Sequence, residues 1–413
     1  MEEKDLQNKK DLYLFFPMKE VGGVQILFLR LSEYLAKMNL FNIYLIDYKD
    51  GYMANNYDKN NIYLVEYNHK NNIYFKDNDI VLFQSMPLSS MPLNLVFSPK
   101  TKILFWNLHP LNFGSFSQNI NNKILSNIIN YILRKTFYKN ELNTIKLFNQ
   151  NHAICFMDGA NINSIYNIFK YKIEFPLLIP LLIQNIKKVK FIQENSESIN
   201  ALWIGRICDF KVHILIYTIK ELSKIKPNSN FTIIGDGDYL NYLKNELSKI
   251  KNINIIYRKY ISPNDLEKEI VNYNIGFSMG TSALDMAKHG LPTICLDAFY
   301  EKIDGYYKFK WLFERNDFTL GEILNNNSLS KNIEDNNLKQ IIGLCIDSFD
   351  EFSNKSFEYV NKNFNVDNSI ESIKEFIYKS TLYYKNIPKK YFEFNLIQKI
   401  KKTKKAYGEY NNE

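Results

Sequence analysis

A pair of cationic side chains follows an apolar run in the second half of the chain. The run at 201–204 ends at Gly205, and Arg206 and Lys211 stand between it and the next helical pattern. A guanidinium and an ammonium at the start of a helix attract negative charge together with the helix N-terminus, so this arrangement favours a pyrophosphate site. The alternative interpretation is that both side chains are solvated loop charges.

A second stretch has the residue types of an anion-binding turn. Gly280 allows the backbone to approach a ligand closely, and Thr281 and Ser282 bring hydroxyl and N–H groups to the expected start of a helix. Asp285 lies one turn further along and can accept hydrogen bonds from ribose hydroxyls. The alternatives are a plain N-cap at Thr281 or Ser282 and, for Asp285, a favourable charge in the first helical turn.

Three further motifs follow apolar runs, and each is weaker when taken alone. They are Gly235 with Gly237, Gly22 with Gly23, and the loop histidine His109. Tight strand-to-helix turns need glycine in any case. A histidine at this place can hydrogen-bond a sugar hydroxyl or take part in proton transfer, but it can equally be a structural hydrogen-bonding group.

The residues around these motifs alternate between strand and helix patterns. In the second half, apolar runs predict strands at 201–204, 231–234, 253–257, 274–278 and 291–296, and helices over 212–225, 239–250 and 282–289. Ser262 followed by Pro263 has the form of a helix start, with an N-cap serine and proline at the first helical position. The alternation predicts a doubly wound α/β domain.

The first half shows a similar pattern. Apolar runs predict strands at 12–16, 43–46, 62–65, 80–83 and 103–106, and apolar residues recur at helical spacing over 24–38. Such short buried strands predict a parallel sheet that is covered on both faces. The polar stretch 186–199 is typical of a linker or an exposed loop. We therefore predict one domain at 1–185, a second at 200–360 and a mostly helical segment at 361–413.

Composition places the chain among folded globular proteins. Of its 413 residues, 46% are hydrophobic and 15% aromatic, a content that disordered chains lack. No run of 18 apolar residues occurs, and the sequence does not open on a signal-peptide pattern, so we expect neither a membrane-spanning helix nor secretion. Four cysteines lie far apart, which predicts reduced thiols in a cytoplasm and no zinc site or disulfide framework.

The net charge of +8 is concentrated near the end of the chain. Eight of the 52 basic residues but only one of the 44 acidic residues lie between Lys385 and Lys405, which leaves 44 basic and 43 acidic residues elsewhere. A nucleic-acid-binding domain is expected to carry its basic charge over a folded face, so the near-neutral remainder argues against nucleic acid as a partner.

The basic segment 385–405 also has an apolar side. Phe392, Leu396 and Ile400 recur at a spacing of four residues among the lysines. This pattern is compatible with an amphipathic element on an anionic membrane surface. The alternative is that the apolar side packs on the first domain and the lysines are solvated.

In this order, the motifs resemble those of the retaining glycosyltransferases of the GT-B fold, the large family-4 group. In that family a strand ends in Gly-Arg, a lysine follows five residues after the arginine, and a Gly-Asp-Gly segment comes about thirty residues later. A helix then carries the pattern acid-x-x-x-x-Gly-x-Pro. The matching stretches here are 205–211, 235–237 and 285–292, so the resemblance in order and spacing covers roughly 200–297.

The resemblance implies two Rossmann-like domains that face each other across a cleft. The domain at 1–185 would hold the acceptor, the domain at 200–360 the nucleotide sugar, and the segment 361–413 would cross back to the first domain. Acceptor recognition is expected around 112–118. In the family, the arginine and lysine neutralise the donor diphosphate, the acid holds the nucleotide ribose, and the strand-end histidine lies beside the transferred sugar.

The resemblance assigns residues to these roles by their positions in this sequence. The implied catalytic residues are Arg206, Lys211 and His109. The implied donor-binding residues are Gly22, Gly23, Gly205, Gly235, Gly280, Thr281, Ser282 and Asp285.

The sequence departs from the family pattern at two places. Family members usually carry a second acid eight residues before the ribose acid, and that position is Phe277 here. Asp285 is itself shorter than the usual glutamate, and Val212 stands where a glycine commonly follows the lysine. One hypothesis is that the 279–282 stretch replaces the missing acid with backbone N–H and hydroxyl donors.

The implied reaction moves a hexose or similar sugar from a nucleotide-diphosphate donor to a hydroxyl of a glycan or lipid-linked acceptor, with retention of configuration. The expected setting is bacterial surface polysaccharide synthesis (capsule, lipooligosaccharide or O-antigen), in the cytoplasm or peripherally on the inner face of its membrane. No cofactor is expected, and because the cationic pair can do a metal's work, we predict no metal requirement. The alternatives are a non-catalytic GT-B partner of a glycan assembly complex, which Phe277 favours, and a sugar-nucleotide epimerase.

Overall fold

The chain is seen in a computed structural model that describes residues 9–19, 22–110, 112–114, 138–192, 198–332, 334 and 337–393. Backbone contacts divide it into a first unit, Met1–Leu182 with Ile370–Glu413, and a second unit, Ile183–Ser369. The limits of 185 and 360 expected from the sequence lie near these divisions, and as limits of independent domains they stay predictions.

A six-stranded parallel sheet is the centre of the first unit. Its strands are β1 (Asp11–Phe15), β2 (Asn42–Asp47), β3 (Ile62–Glu66), β5 (Ile80–Gln84), β7 (Lys102–Asn107) and β8 (Ile154–Phe156), and a separate parallel pair joins β4 (Ile73–Phe75) to β6 (Leu95–Phe97). The order in the sheet is β3-β2-β1-β5-β7-β8, so the direction of winding reverses between β1 and β5. Strands β5 and β7 are almost wholly buried, as the apolar runs predict for a sheet covered on both faces.

Helices cover this sheet because one side of each is apolar. The helices are α1 (Gly23–Lys37), α2 (Tyr52–Asn56), α3 (Lys139–Gln150) and α4 (Gly159–Phe169). In α1, Leu27, Phe28, Leu31 and Leu35 are buried at the spacing of one helix face.

A five-stranded parallel sheet is the centre of the second unit. Its strands are β9 (Asn200–Ile204), β10 (Ser229–Ile234), β11 (Ile253–Arg258), β12 (Ile275–Ser278) and β13 (Thr293–Cys295), in the order β11-β10-β9-β12-β13, and a short pair joins β14 (Ala298–Phe299) to β15 (Ile323–Leu324). The winding reverses between β9 and β12. In open α/β sheets, ligands bind at the carboxyl ends of the strands where this reversal occurs.

The helices of the second unit alternate with these strands. They are α5 (Asp209–Ile225), α6 (Leu240–Leu247), α7 (Pro263–Glu269), α8 (Thr281–Ala287), α9 (Leu338–Asp347) and α10 (Phe349–Phe364), and α11 (Val366–Lys379) runs from this unit into the first. The helix start predicted at Ser262 is confirmed, since its hydroxyl accepts a hydrogen bond from the Asp265 N–H at 3.1 Å. The doubly wound prediction for this half is confirmed, with small differences in element ends.

Two of those differences have a clear physical cause. The helix predicted from 212 begins earlier, at Asp209, because Cys208 has the extended backbone of an N-cap residue. The strand predicted over 291–296 is shorter, Thr293–Cys295, and Pro292 before it has no N–H to donate, although its carbonyl accepts from the Gly276 N–H and the Leu296 N–H donates to the Ser278 carbonyl.

The stretch predicted as a linker is described as far as residue 192, and that part is anchored on the second unit. The Val189 N–H donates to the His289 carbonyl at 3.1 Å, and the Ile192 N–H donates to the Val271 carbonyl at 3.1 Å. The Phe191 ring packs on Phe349 with 5.1 Å between ring centroids. Residues 186–192 are therefore part of a folded unit and not a free connection.

The basic segment 385–405 lies outside the described residues from 394 onward, and so does most of its predicted amphipathic pattern. Within the part of the chain that the structure describes, no helix combines the length and the apolar character needed to cross a membrane.

Candidate functional site

The carboxyl ends of β9 and β12 meet at the reversal point of the second sheet. The Ser278 hydroxyl, at the end of β12, donates a hydrogen bond to the Ile204 carbonyl at the end of β9, with 2.7 Å between the oxygens. The turn that carries Arg206 and the turn that carries Gly280 start from these two residues. The structure therefore brings the two predicted anion-binding turns to the same edge of the sheet.

The turn after β9 is packed against the turn after β10. The Gly205 N–H donates to the Ile234 carbonyl at 3.0 Å, and the Ile207 N–H donates to the Asp236 carbonyl at 2.9 Å. A Cβ on Gly235 would lie only 1.9 Å from the Gly205 carbonyl oxygen. Gly235 thus supports the position of Gly205 by close backbone contact, and a contact of its own with a donor stays a prediction.

Lys211 places a poorly solvated ammonium beside the Gly205 turn. Its Nζ is 3.5 Å from the position that a Cβ on Gly205 would occupy, and 5.8 Å from the centroid of the Phe210 ring. Burial lowers the pKa of Lys211, and the nearby Arg206 charge lowers it further, while the Cys208 thiol acts in the opposite direction. Burial and the Arg206 charge both disfavour the charged form of Lys211, so a nearby anion would stabilise that form.

No acid compensates this cationic pair among the residues the structure describes. Arg206 is exposed and Lys211 is half-buried, and no carboxylate of the described residues lies within 4.0 Å of either charge. An unpaired ammonium that is partly removed from water binds an anion more strongly than an exposed one does. The geometry thus fits an anionic ligand at the carboxyl end of β9.

Gly280 forms the N-cap of α8 in a conformation that other residues rarely adopt. Its φ is 66° and its N–H donates to the Leu320 carbonyl at 2.8 Å. Thr281 and Ser282 are the first two helical residues, and no side chain caps this helix. The alternative interpretation that Thr281 or Ser282 is the N-cap is therefore wrong.

Asp285 already has a cationic partner. Its Oδ1 is 3.2 Å from the Nζ of Lys288, and the two side chains are 29% and 11% exposed. Asp285 is the fifth residue of α8 and lies beyond its first turn, which contains no acid, so the interpretation of Asp285 as a first-turn charge is also wrong.

Phe277 is a core residue of β12. It is fully buried, and its ring centroid lies 6.0 Å from that of Phe231 and 6.4 Å from that of Phe309. Only Met279 and Gly280 separate β12 from α8, so a count of eight residues back from Asp285 ends inside the strand. A carboxylate at this position would therefore face the core of the second unit.

The predicted residues of the first unit follow β1 and β7. Gly22 is the N-cap of α1, and Gly23 is its exposed first residue. A Cβ on Gly23 would meet no heavy atom of the described residues within 4 Å, whereas one on Gly22 would lie 2.8 Å from the Gln25 Oε1. Strand β5 lies between β1 and β7 in the sheet, so the two turns share one edge but start from strands that are not neighbours.

His109 is held in a turn by Asn112. The Asn112 Oδ1 accepts hydrogen bonds from the N–H groups of Leu108 and His109 at 3.1 and 2.8 Å, and the Asn112 N–H donates to the His109 carbonyl at 3.0 Å. The surrounding protein lowers the pKa of the His109 imidazole by desolvation, which favours its neutral form at pH 7. Residue 111 and residues 115–118 of the predicted acceptor stretch lie outside the described residues.

Sequence reasoning missed three groups that hold these turns. They are the Ser278 hydroxyl, the Asn112 amide and the Leu320 carbonyl. Asn112 offered a signal, since a turn asparagine three residues after a histidine commonly bonds the backbone. Leu320 offered no signal, because it bonds Gly280 through its main-chain carbonyl, which every residue type has, and it lies 40 positions away in the sequence.

No protein-family model matches the sequence, and no curated protein matches it. Solved structures do match it in fold. The crystal structure of Anabaena HepE in complex with UDP and glucose matches with 12% identity and a TM-score of 0.56, covering 89% of this chain and 99% of that one.

Two further structures extend this likeness. The crystal structure of WaaG, a glycosyltransferase involved in lipopolysaccharide biosynthesis, matches with 11% identity and a TM-score of 0.52, covering 89% of this chain and 99% of that one. An alpha-glucosyltransferase in complex with UDP and a 13-mer DNA containing a HMU base matches with 13% identity and a TM-score of 0.50, covering 90% of this chain and 99% of that one. The chain therefore has the mixed α/β GT-B fold of these glycosyltransferase structures.

Proposed function

We propose that the chain is a glycosyltransferase, similar to the family-4 group, that moves a sugar from a nucleoside-diphosphate donor to a hydroxyl acceptor. The observation that carries the proposal is the cationic pair of Arg206 and Lys211 at the reversal point of the second sheet, without an acidic partner among the described residues. HepE and the alpha-glucosyltransferase, which share the fold, were both solved with UDP.

The proposed role of the cationic pair is to stabilise the leaving diphosphate. Negative charge develops on the diphosphate as the bond to the sugar breaks, and preformed positive groups stabilise that charge more than they stabilise the ground state. Lys211 is suited to this role because its ammonium is already partly desolvated. Retention of configuration and a hexose as the transferred sugar are proposed from the family resemblance.

The proposed ribose contact uses Asp285. Because its carboxylate is paired with Lys288 at 3.2 Å, a ribose hydroxyl has to share Asp285 with that ammonium or replace it. The N–H groups of Thr281 and Ser282 have no intrahelical acceptor at the start of α8, which makes them available to the donor.

The proposed roles in the first unit are sugar contact by His109 and backbone approach at Gly22 and Gly23. A neutral imidazole donates one hydrogen bond and accepts another, as recognition of a sugar hydroxyl requires. Among the residues that the structure describes, none crowds the Cβ position of Gly23, which leaves room for a ligand next to the backbone.

The proposed acceptor is a glycan or a lipid-linked glycan of the bacterial surface, and the proposed place of action is the cytoplasm or the inner face of its membrane. The alpha-glucosyltransferase was solved with DNA, but the near-neutral charge outside 385–405 argues against a nucleic-acid acceptor here.

Vesicles that contain anionic lipid test the proposed membrane contact of the basic segment 385–405. Replacing Lys399, Lys401, Lys402, Lys404 and Lys405 with glutamine is expected to release the protein from such vesicles, and unchanged binding contradicts the contact.

The non-catalytic alternative rests on Phe277 in place of an acid, and Phe277 is buried in the interior of β12. The cationic pair of Arg206 and Lys211 at the reversal point of the second sheet favours the catalytic proposal over it.

Thermal stability in the presence of nucleotides tests the proposed function. A ligand at 100 times its dissociation constant adds about 2.7 kcal/mol to the free energy of unfolding. We expect one of UDP, GDP, CDP or ADP to raise the melting temperature of the wild type and of Lys251→Ala, an exposed lysine at the opposite end of the second sheet. The same nucleotide is expected to have little effect on Arg206→Ala. No response of the wild type to any nucleotide or nucleotide sugar contradicts the proposal.

A further inference from the structure

A buried ion pair lies directly after β13. The Nη2 of Arg315 is 2.9 Å from the Oδ1 of Asp297, and the two side chains are 3% and 5% exposed. The Tyr307 hydroxyl donates to the other carboxylate oxygen, Oδ2, at 2.8 Å. Burial and the Asp297 charge raise the pKa of Tyr307, so its hydroxyl remains a donor.

The segment that Asp297 binds is also the segment that binds the Gly280 turn. The Asp297 Oδ1 accepts a hydrogen bond from the Glu322 N–H at 2.8 Å. Two residues earlier, the Leu320 carbonyl accepts the hydrogen bond from the Gly280 N–H at 2.8 Å. Three consecutive residues, 320–322, therefore connect the buried carboxylate to the N-cap of α8.

Gly321 fits this segment tightly between its neighbours. A Cβ on Gly321 would lie 2.6 Å from the Leu296 carbonyl oxygen and 3.3 Å from the Met279 Cβ. There is therefore no room for a side chain at position 321 between this segment and Met279, the residue that precedes Gly280.

Stability alone does not account for an ion pair at this place. Removing two charges from water is costly, and well-packed apolar residues in the same volume often give equal or greater stability. A carboxylate with three partners does fix the geometry of what it binds, and here it binds the segment that holds the turn.

We propose that Asp297, Arg315 and Tyr307 are positioning residues that set the conformation of the 279–282 turn and, through it, the affinity for the nucleoside-diphosphate part of the donor. The inference rests on the proposed function and adds residues that the family resemblance does not assign. None of the three is proposed to touch the donor.

Hydrogen exchange and nucleotide binding together test this proposal in the full-length protein. The variants are Tyr307→Phe, which removes one hydroxyl, and Arg315→Lys, which keeps the charge but loses the planar group. The matched control is Ser229→Ala, because the buried Ser229 hydroxyl accepts a hydrogen bond from the Ile199 N–H at 3.1 Å, at the opposite end of the sheet. The probes are UDP, GDP, CDP and ADP.

We expect amide exchange in peptides that cover 279–283 to become at least fivefold faster in both variants, with unchanged exchange in β9 and β10. The dissociation constant of the nucleotide that binds the wild type is expected to rise at least fivefold. Ser229→Ala is expected to lower the melting temperature without either effect. If Arg315→Lys does not fold, Tyr307→Phe carries the test.

The result that overturns the proposal is wild-type exchange in 279–283, or wild-type nucleotide affinity, in a folded Tyr307→Phe variant. Equal effects in Ser229→Ala also overturn it, because they would show a general loss of stability. If the wild type binds no nucleotide, the proposed function fails, whereas the exchange data still decide whether the network holds the turn.

Discussion

Gly235 lies against the carbonyl of Gly205 so closely that a Cβ on Gly235 would be 1.9 Å from that oxygen. The contact joins the turns after two neighbouring strands, β9 and β10, and the first of these turns carries the cationic pair. The structure therefore links a glycine of the Gly-Asp-Gly motif to the position of Arg206 and Lys211 through backbone packing.

We expect Gly235→Ala to destabilise the fold and to impair the cationic turn. Real Cβ contacts do not occur at such a distance, so the Gly205 turn has to move, at a cost of about 2 kcal/mol or more in the free energy of unfolding. Nucleotide binding is expected to fall with it. Gly343→Ala is the matched control, because a Cβ at Gly343 in α9 would meet no heavy atom within 4 Å in the part of the chain that the structure describes. Equal stability of the two variants in urea unfolding would show that the contact has no effect.

Lys211→Met is expected to weaken nucleotide binding by about tenfold or more, since a hydrogen bond to a charged group contributes about 1.5–3 kcal/mol. Lys220→Met is its control on the same helix. Lys220 is 44% exposed, its Nζ lies 3.8 Å from the Glu246 carboxylate, and Glu246 keeps its second partner Lys249 when Lys220 is replaced. Isothermal titration with the nucleotide that stabilises the wild type measures both variants, and an unchanged affinity in Lys211→Met would contradict the proposed site.

Nucleotide affinity is expected to fall as pH rises from 7 towards 10. Burial holds the pKa of Lys211 below 10.5 in the free protein, and a bound diphosphate would raise it, so binding takes up a proton once the pH approaches the free-protein pKa. The folding stability of the unliganded protein changes with pH in the opposite direction. The unfolded state binds the Lys211 proton more tightly than the folded state does, so the contribution of Lys211 to stability rises with pH. The pH dependence of binding is expected to be weaker in Lys211→Met, and an identical slope in both proteins would exclude Lys211 as its source.

The sequence predicts the alternating fold well because the buried strands are continuous apolar runs. It misses the β4–β6 pair, whose three-residue strands are partly exposed, with Tyr74 at 68% and Val96 at 37%. It places Arg206 and Gly280 correctly in the turns after strands, but Lys211, expected just before the helix, is the third residue of α5. The Asp285–Lys288 pair follows from the i,i+3 spacing of the two residues along α8, and the sequence analysis overlooked it. The sequence does not reveal that Asp297 meets Arg315, because that pair depends on how the irregular segment between them folds back.

Glu141 is expected to make stability depend on pH through the first unit. Burial raises the pKa of its carboxyl to about 7, and its Oε2 accepts a hydrogen bond from the Gly114 N–H at 2.8 Å. The folded state then binds a proton that the unfolded state releases near pH 4.5, so stability from this group falls as pH rises from about 4.5 to 7.

Glu141→Gln removes the buried charge while its amide oxygen can still accept from Gly114. We expect it to add about 1–3 kcal/mol to the free energy of unfolding at pH 8 and little at pH 4.5. Glu246→Gln is the contrasting control, because Lys249 holds the pKa of Glu246 below its usual value and neutralisation is expected to reduce stability at pH 8. Denaturant unfolding at pH 4.5 and pH 8 measures the stability of each variant relative to wild type. If the stability that Glu141→Gln gains over wild type is no larger at pH 8 than at pH 4.5, Glu141 is not a source of pH dependence.

Phe277→Glu tests whether the missing acid of the family pattern has a place in this chain. Phe277 is fully buried in β12 between Phe231 and Phe309, so a carboxylate there has no solvent and no cation among the contacts that the structure describes. We expect Phe277→Glu to lose about 3 kcal/mol or more, and Phe277→Leu, its apolar control, about 1 kcal/mol. Melting temperature and nucleotide affinity are measured together. A Phe277→Glu variant that keeps its stability and binds nucleotide more tightly would mean that the side chain at position 277 faces the donor and not the core of the second unit.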